Sequence, residues 1–288
     1  MPATLTAWLR PDRLYVLFKY VVFTLLTINL WFFFWEDHNA IPTLFPEGVN
    51  AGNFIEAYSA TIDTLAWLVL LWLFELETAI IPDEKLRGGL KWLLLSVRAL
   101  CYLFIVSAFF GYLAGWQQIS AVVPFTVADP CSLIGSNMTY IFDLDEYFPI
   151  DASACVTLQG ESLVRVVGTD LIGTELAQLE AARLALVDVI NAFAWLLVVA
   201  LLEVEVLLQL AGRLGPRLLW SLKWIKSGLY ATLFAAAVYW GVKGDFIDFW
   251  DAFLWLVAFV FIELNIFQWH AETEEEKGQT RGPDTAAL

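Results

Sequence analysis

The chain has 288 residues, of which 59% are hydrophobic and only 16% are charged. Together with a mean hydropathy of +0.66, this composition excludes an ordinary soluble domain and predicts an integral membrane protein, whose first partner is the lipid bilayer. The net charge of −15 excludes nucleic acid as a partner, because nucleic-acid binding needs a basic surface.

Six apolar runs are long enough to cross the hydrocarbon layer, which takes roughly 20 helical residues. They cover about residues 14–35, 57–81, 90–115, 184–211, 217–241 and 247–270. Glycine and proline stand between successive runs, as is typical where helices stop and turn. We therefore predict an all-α integral membrane protein with six transmembrane helices.

The basic residues indicate how these helices are oriented. In a six-helix arrangement most lysines and arginines fall on one side of the membrane, which marks that side as cytoplasmic. Both termini are then cytoplasmic, in a bacterial-type inner (plasma) membrane. The residues that carry this bias are Arg10, Arg13, Lys19, Lys85, Arg87, Lys91, Arg213, Arg217, Lys223 and Lys226.

The segment 116–182, between helices three and four, is predicted to be an extracytoplasmic cap. Its second half, from Thr169, has an amphipathic helical pattern that continues into helix four. Cys131 and Cys155 both lie in this segment, where an oxidising compartment lets them form a disulfide worth about 3–4 kcal/mol. The chain then divides into helices 1–3 (1–115), the cap (116–182), helices 4–6 (183–270) and an acidic disordered tail (271–288).

A pattern of three residues recurs in the even-numbered helices. An Asp or Asn is followed by a Trp at plus four and a Glu at plus twelve, and a further polar residue stands at plus fourteen. This register predicts three parallel two-helix repeats, over about 13–78, 91–206 and 223–266. The sets are Asp63-Trp67-Glu75-Glu77, Asn191-Trp195-Glu203-Glu205 and Asp251-Trp255-Glu263-Asn265.

The late positions of the pattern form a predicted polar layer near the cytoplasmic side, made of Glu75, Glu77, Glu203, Glu205, Glu263 and Asn265. Lys19, Arg98 and Lys226 reach a comparable depth, so one interpretation is a set of salt bridges between helices. Five carboxylates against three cations leave a negative excess, so the second interpretation is a proton relay or a cation site. Its ligands are all oxygens, which suits a hard cation, and the metal itself stays unspecified.

The early positions, Asp63, Asn191 and Asp251, stand near the predicted start of each even-numbered helix. An acid or amide there caps free N–H groups and complements the helix dipole, so we interpret all three as helix caps. Asp188, one turn before Asn191, compensates for the missing charge. The three Trp residues are expected to pack between the repeats.

Motifs of catalysis are missing from the sequence, including HExxH, GxSxG, CxxC and phosphate-binding loops. An enzyme is therefore the less favoured class. Within that class, a lipid-modifying enzyme that uses carboxylates stays open. Two other functions stay open: transport of protons or small cations through the inner carboxylate layer, or a non-catalytic membrane subunit or scaffold that binds another membrane protein or a second copy of itself. No cofactor is evident apart from a possible hard cation.

Overall fold

A computed structural model of the protein describes residues 11–82, 85, 87–210 and 215–259. Two short helices, α2 (Phe54–Ala57) and α5 (Ala152–Thr157), accompany the long helices, and a five-residue π-helix, Leu76–Ile80, extends α3. The long helices are α1 (Pro11–Leu44), α3 (Ser59–Glu75), α4 (Gly89–Ser120), α6 (Glu175–Leu210), α7 (Pro216–Lys243) and α8 over 246–259.

Four helical segments within the described residues are long and apolar enough to cross a membrane. The 28-residue helix α7 is long enough, but lysine, tyrosine and glycine make it less apolar. Helix α8 is described only as far as residue 259, so six spans and a threefold repeat stay predictions. The four segments are Leu14–Leu44, Ser59–Thr78, Gly89–Ser120 and Glu175–Glu205.

The cap contains a five-stranded sheet, so the all-α prediction is wrong for this part of the chain. Its strand order is β1-β4-β5-β2-β3, antiparallel except for the β2–β5 pair. The predicted helix from Thr169 is also wrong at its start, since a strand precedes Glu175. Strands of four or five residues show too little alternation to be recognised from sequence. They are β1 (Val122–Phe125), β2 (Thr139–Asp143), β3 (Glu146–Pro149), β4 (Leu163–Val166) and β5 (Leu171–Thr174).

The predicted disulfide between Cys131 and Cys155 is confirmed. It links a 3₁₀ turn to α5, which begins where the Asp151 carboxylate accepts hydrogen bonds from two backbone N–H groups. Cys155 is buried with Leu158 and Ile172 in an apolar cluster that belongs to the cap alone. The cap therefore has its own small core, stabilised by one cross-link.

The helices pack around one central core, to which α1, α3, α4, α6, α7 and α8 all contribute buried side chains. The three repeated Trp residues meet there: the Trp67 ring centroid lies 6.1 Å from that of Trp195 and 6.2 Å from that of Trp255. Phe259 completes the group, with its centroid 4.5 Å from that of Trp195. We call these four rings the aromatic layer.

One hairpin of the cap reaches into the adjoining end of the helix bundle. Leu144, the first of the two residues between β2 and β3, has a positive φ of 41° and packs with Leu184, Trp240 and Ala252. These contacts come from α6, α7 and α8. They fix the next residue, Asp145, among the helices, so that the cap supplies part of the cavity described below.

Candidate functional site

Glu75, the first carboxylate of the predicted inner layer, is fully buried and has a cation beside it. The Lys19 ammonium donates to both of its carboxylate oxygens at 2.8 Å, and the Tyr20 hydroxyl donates at 2.7 Å. Because this buried carboxylate is paired and hydrogen-bonded, it joins α1 to α3 without leaving an uncompensated charge.

The other described carboxylates of this layer have different partners. Arg98 pairs with Glu77, and the Lys226 ammonium lies 2.9 Å from a Glu205 oxygen. Glu203 accepts a hydrogen bond of 2.8 Å from the Tyr102 hydroxyl. Each predicted counter-charge therefore pairs with its own glutamate across its own helix pair, an arrangement that favours the salt-bridge interpretation. Glu263 and Asn265 lie outside the described residues.

The early positions of the repeated pattern do not cap helices, and this prediction is corrected. Asp63 is the fifth residue of α3 and accepts a 3.1 Å hydrogen bond from its own Trp67 indole. Asn191 lies in the middle of α6, and Asp251 accepts a 2.8 Å hydrogen bond from Asn29. Each of the three lies at least one full turn inside its helix, where backbone N–H groups are already bonded within the helix, so the free N–H groups are elsewhere.

Asp63, Asn191 and Asp251 instead line one cavity of about 100 Å³ at the end of the helix bundle next to the cap. We call it the acidic cavity, because six carboxylic side chains line it and no lysine, arginine or histidine stands among its described lining residues. Like charges in a space with little water repel one another, so this cavity attracts protons or cations. The six are Glu36, Asp63, Asp145, Asp188, Asp248 and Asp251.

The aromatic layer lies at the end of the acidic cavity that is farther from the cap. Trp67, Trp195, Trp255 and Phe259 all line it, and each Trp stands one helical turn beyond its Asp or Asn. Because Glu75 and Glu203 follow two further turns along α3 and α6, the rings separate the acidic cavity from these inner carboxylates.

Two neighbouring cavities extend from the acidic cavity, and Glu36 and Asp145 line both of them as well. One of the two reaches the surface of the protein, where its lining residues Glu146 and Gly244 are exposed. Carboxyl groups therefore follow one another from the protein surface beside the cap to the aromatic layer.

Two cap residues along this route, Asp145 and Tyr147, have raised pKa values. Burial raises the pKa of the Asp145 carboxyl, a hydrogen bond with Glu36 offsets part of this rise, and the nearby Asp245 carboxylate raises the pKa further. Burial also raises the pKa of the Tyr147 hydroxyl above its ordinary range. Both shifts favour the protonated form, as expected where acids share a site without a basic side chain.

Sequence reasoning missed Glu36, Asp145 and Asp248 as members of this site. Asp248 stands three residues before Asp251, as Asp188 does before Asn191, so the two acids repeat on one helix face. Glu36 directly follows the first apolar run. No local pattern marks Asp145, because only the folding of the cap brings it to the helices.

Comparisons with known protein families, with curated proteins and with solved structures find no match for this chain.

Proposed function

We propose that this membrane protein transports protons or small cations, and that the acidic cavity is its outer binding site. The main observation that supports this proposal is that six carboxylic side chains line one cavity, without a basic side chain among its described lining residues. Ionisable groups are costly inside a membrane and are retained there chiefly for ion pathways and proton relays. The wider negative charge of −15 favours the same species.

In this proposal the inner carboxylates have a structural role. Glu75, Glu77 and Glu205 are paired with cations, so their charge is already balanced and they hold neighbouring helices in register. The aromatic layer is then the barrier between the outer site and the cytoplasmic side. Passage requires these rings to move or a relay of protons to pass them.

Reconstitution of the purified protein into liposomes tests this proposal. With a dye for protons or for a chosen cation inside, an imposed gradient drives flux through the protein. We expect Asp63→Asn and Asp251→Asn each to reduce the flux at least tenfold, because each removes one carboxylate from the cavity. Glu161→Gln, an exposed cap residue, is the matched control.

The same assay separates the outer site from the inner layer. Glu203→Gln keeps the flux if the acidic cavity is the working site, since Glu203 lies outside the lining of that cavity. Wild-type liposomes without any flux of protons, Na⁺, K⁺ or Ca²⁺ would overturn the proposal. If the flux is lost in Glu203→Gln and kept in Asp251→Asn, the transport site is the inner carboxylate layer and not the acidic cavity.

The proposed orientation places the cap outside a bacterial-type inner membrane and both termini in the cytoplasm. The Cys131–Cys155 disulfide supports it, because such bonds persist on the oxidising side of a membrane. A cysteine introduced at the exposed position Phe142 should react with a membrane-impermeant maleimide in intact cells, and one at Lys223 should not. The reverse labelling would contradict this orientation.

A membrane subunit that serves a partner is the second candidate. Phe142 and Phe148 are exposed on the β2–β3 hairpin, with ring centroids 5.3 Å apart, and such aromatic pairs are common in binding surfaces. The substitutions Phe142→Ser and Phe148→Ser should then abolish co-purification with a specific membrane protein or with a second copy. A partner-free monomer with full transport activity would contradict this candidate.

A further inference from the structure

Two polar atoms in the wall of the acidic cavity have no hydrogen-bond partner among the described residues. They are the indole N–H of Trp240 and the amide oxygen Oδ1 of Asn191, and both residues line the cavity. Trp240 is only 3% exposed, so its N–H is shielded from bulk solvent. An unsatisfied buried polar atom is costly, and its presence calls for a specific explanation.

The two atoms need opposite partners, because Trp240 donates a hydrogen bond and the Asn191 oxygen accepts one. A metal cation satisfies only the Asn191 oxygen, and an anion is repelled by the surrounding carboxyl groups. A water molecule or a hydronium-like cluster serves both, since water donates and accepts. The cavity volume of about 100 Å³ gives room for several water molecules.

The carboxyl groups at the site also suit protons. Asp63 accepts from the Trp67 indole and Asp251 accepts from the Asn29 amide, and a carboxyl group accepts such bonds whether it is protonated or ionised. A hard metal ion needs several oxygens that converge on one point. Within the described part of the chain, no group of three or more His, Cys, Asp or Glu side chains is arranged in this way.

We infer that the acidic cavity holds a hydrogen-bonded water cluster anchored by Trp240 and Asn191, and that the species handled there is the proton. The Trp240 indole lies close to the Asp188 side chain without a hydrogen bond of ordinary geometry between them, so its N–H stays available to a water of the cluster. This inference rests on the proposed function and narrows its substrate. The titratable groups that face the cluster are Glu36, Asp63, Tyr112, Asp145, Asp188, Asp248 and Asp251.

Parallel flux measurements on liposomes test the inference with the wild-type protein alone. A pH-sensitive dye follows protons under a potassium-diffusion potential, and separate vesicles report Na⁺ and Ca²⁺. We expect proton flux that slows in D₂O, without flux of either metal ion. Metal flux that depends on Asp251, without proton flux, would overturn the inference and keep the proposed function. No flux of any kind would overturn both.

Two variants then test the anchors of the cluster. Asn191→Leu and Trp240→Phe each remove one hydrogen bond to water, and we expect each to slow proton flux about tenfold. Asn191→Ser restores an acceptor and should recover most of the rate. Tyr239→Phe is the matched control, because the Tyr239 hydroxyl also lacks a described partner but does not line the cavity. Equal rates in Trp240→Phe and Tyr239→Phe would contradict the anchoring role.

Discussion

Two groups of acidic side chains in the helix bundle differ in what lies beside them. Glu75, Glu77 and Glu205 lie beside cations, whereas the six acids of the acidic cavity lie beside one another and beside neutral donors. In a medium of low polarity this difference decides the role of each group. A paired charge stabilises the helix arrangement, and an unpaired one stays open to a proton or a cation.

The Lys19–Glu75 pair gives the sharpest prediction at the scale of single residues. Lys19→Met should lower the free energy of unfolding by about 3–5 kcal/mol, because it leaves a buried carboxylate without a cation. The double variant Lys19→Met/Glu75→Gln should recover most of this loss and still give the Tyr20 hydroxyl an acceptor. Denaturant unfolding in detergent measures all three proteins.

Lys223→Met is the control for this experiment, since Lys223 is an exposed lysine on α7. Its effect should stay within about 0.5 kcal/mol. If Lys19→Met were no more destabilising than Lys223→Met, the pair would not contribute to stability and the structural role of the inner layer would be lost.

At the scale of elements, α4 approaches α2 and α3 closely at one glycine. A Cβ atom added at Gly111 would lie 2.9 Å from the Ile55 carbonyl oxygen and 3.0 Å from the Ser59 Cβ atom. The first contact is with backbone, which cannot rotate away. Glycine is therefore required here by the distance between the two chain segments.

Gly111→Ala should lower the free energy of unfolding by about 1–3 kcal/mol, because α4 must shift outward. Gly115→Ala is a matched control one turn further on, where an added Cβ meets no atom within 4 Å. That change should be neutral or stabilising by up to about 1 kcal/mol, since alanine favours helix more than glycine does. Thermal unfolding of both variants in one detergent measures the difference, and equal effects would contradict the close contact.

The elements also differ in how far they follow from the sequence. Long apolar runs predict α1, α3, α4 and α6, because spanning hydrocarbon demands about 20 apolar residues in a row. The ends of these helices were harder to predict, because two of them extend beyond their apolar runs. Helix α1 continues to Leu44, and α6 begins at Glu175. The cap strands depend on partners far along the chain, as between Val122 and Val166, and no local pattern specifies such pairing.

At the scale of the whole molecule, the repeated Asp/Asn-Trp pattern predicted three equivalent helix segments, but it did not predict what the repeated residues do. The three Trp residues meet in one layer and the three polar residues line one cavity. Repetition in sequence could indicate that these residues belong together, whereas their place near the start of each apolar run made them resemble caps. The sequence could not predict Asp145 as a cavity residue, because it joins the cavity only when the β2–β3 hairpin enters the helix bundle.

The β2–β3 hairpin places a titratable group, Asp145, between the cap and the helices. The stability of the fold should therefore depend on pH, in a direction that the pKa of Asp145 determines. Burial raises the pKa of Asp145 above the unfolded value of about 3.9. The folded state then binds its proton more tightly than the unfolded state does. Stability contributed by Asp145 is therefore full below about pH 4 and falls as the pH rises through the folded pKa.

Asp145→Asn should remove this part of the pH dependence, because an amide keeps the shape of the side chain without an ionisation to suppress. At pH 7 the variant should unfold at a higher temperature than the wild type, and the two curves should converge towards pH 4. Thermal unfolding at several pH values measures this, with Asp143→Asn, an exposed acid of the same hairpin, as the control. A wild-type slope retained in Asp145→Asn would mean that this carboxyl does not titrate within the fold. The expected convergence would instead place it among the acids whose protonation holds the cap on the helix bundle.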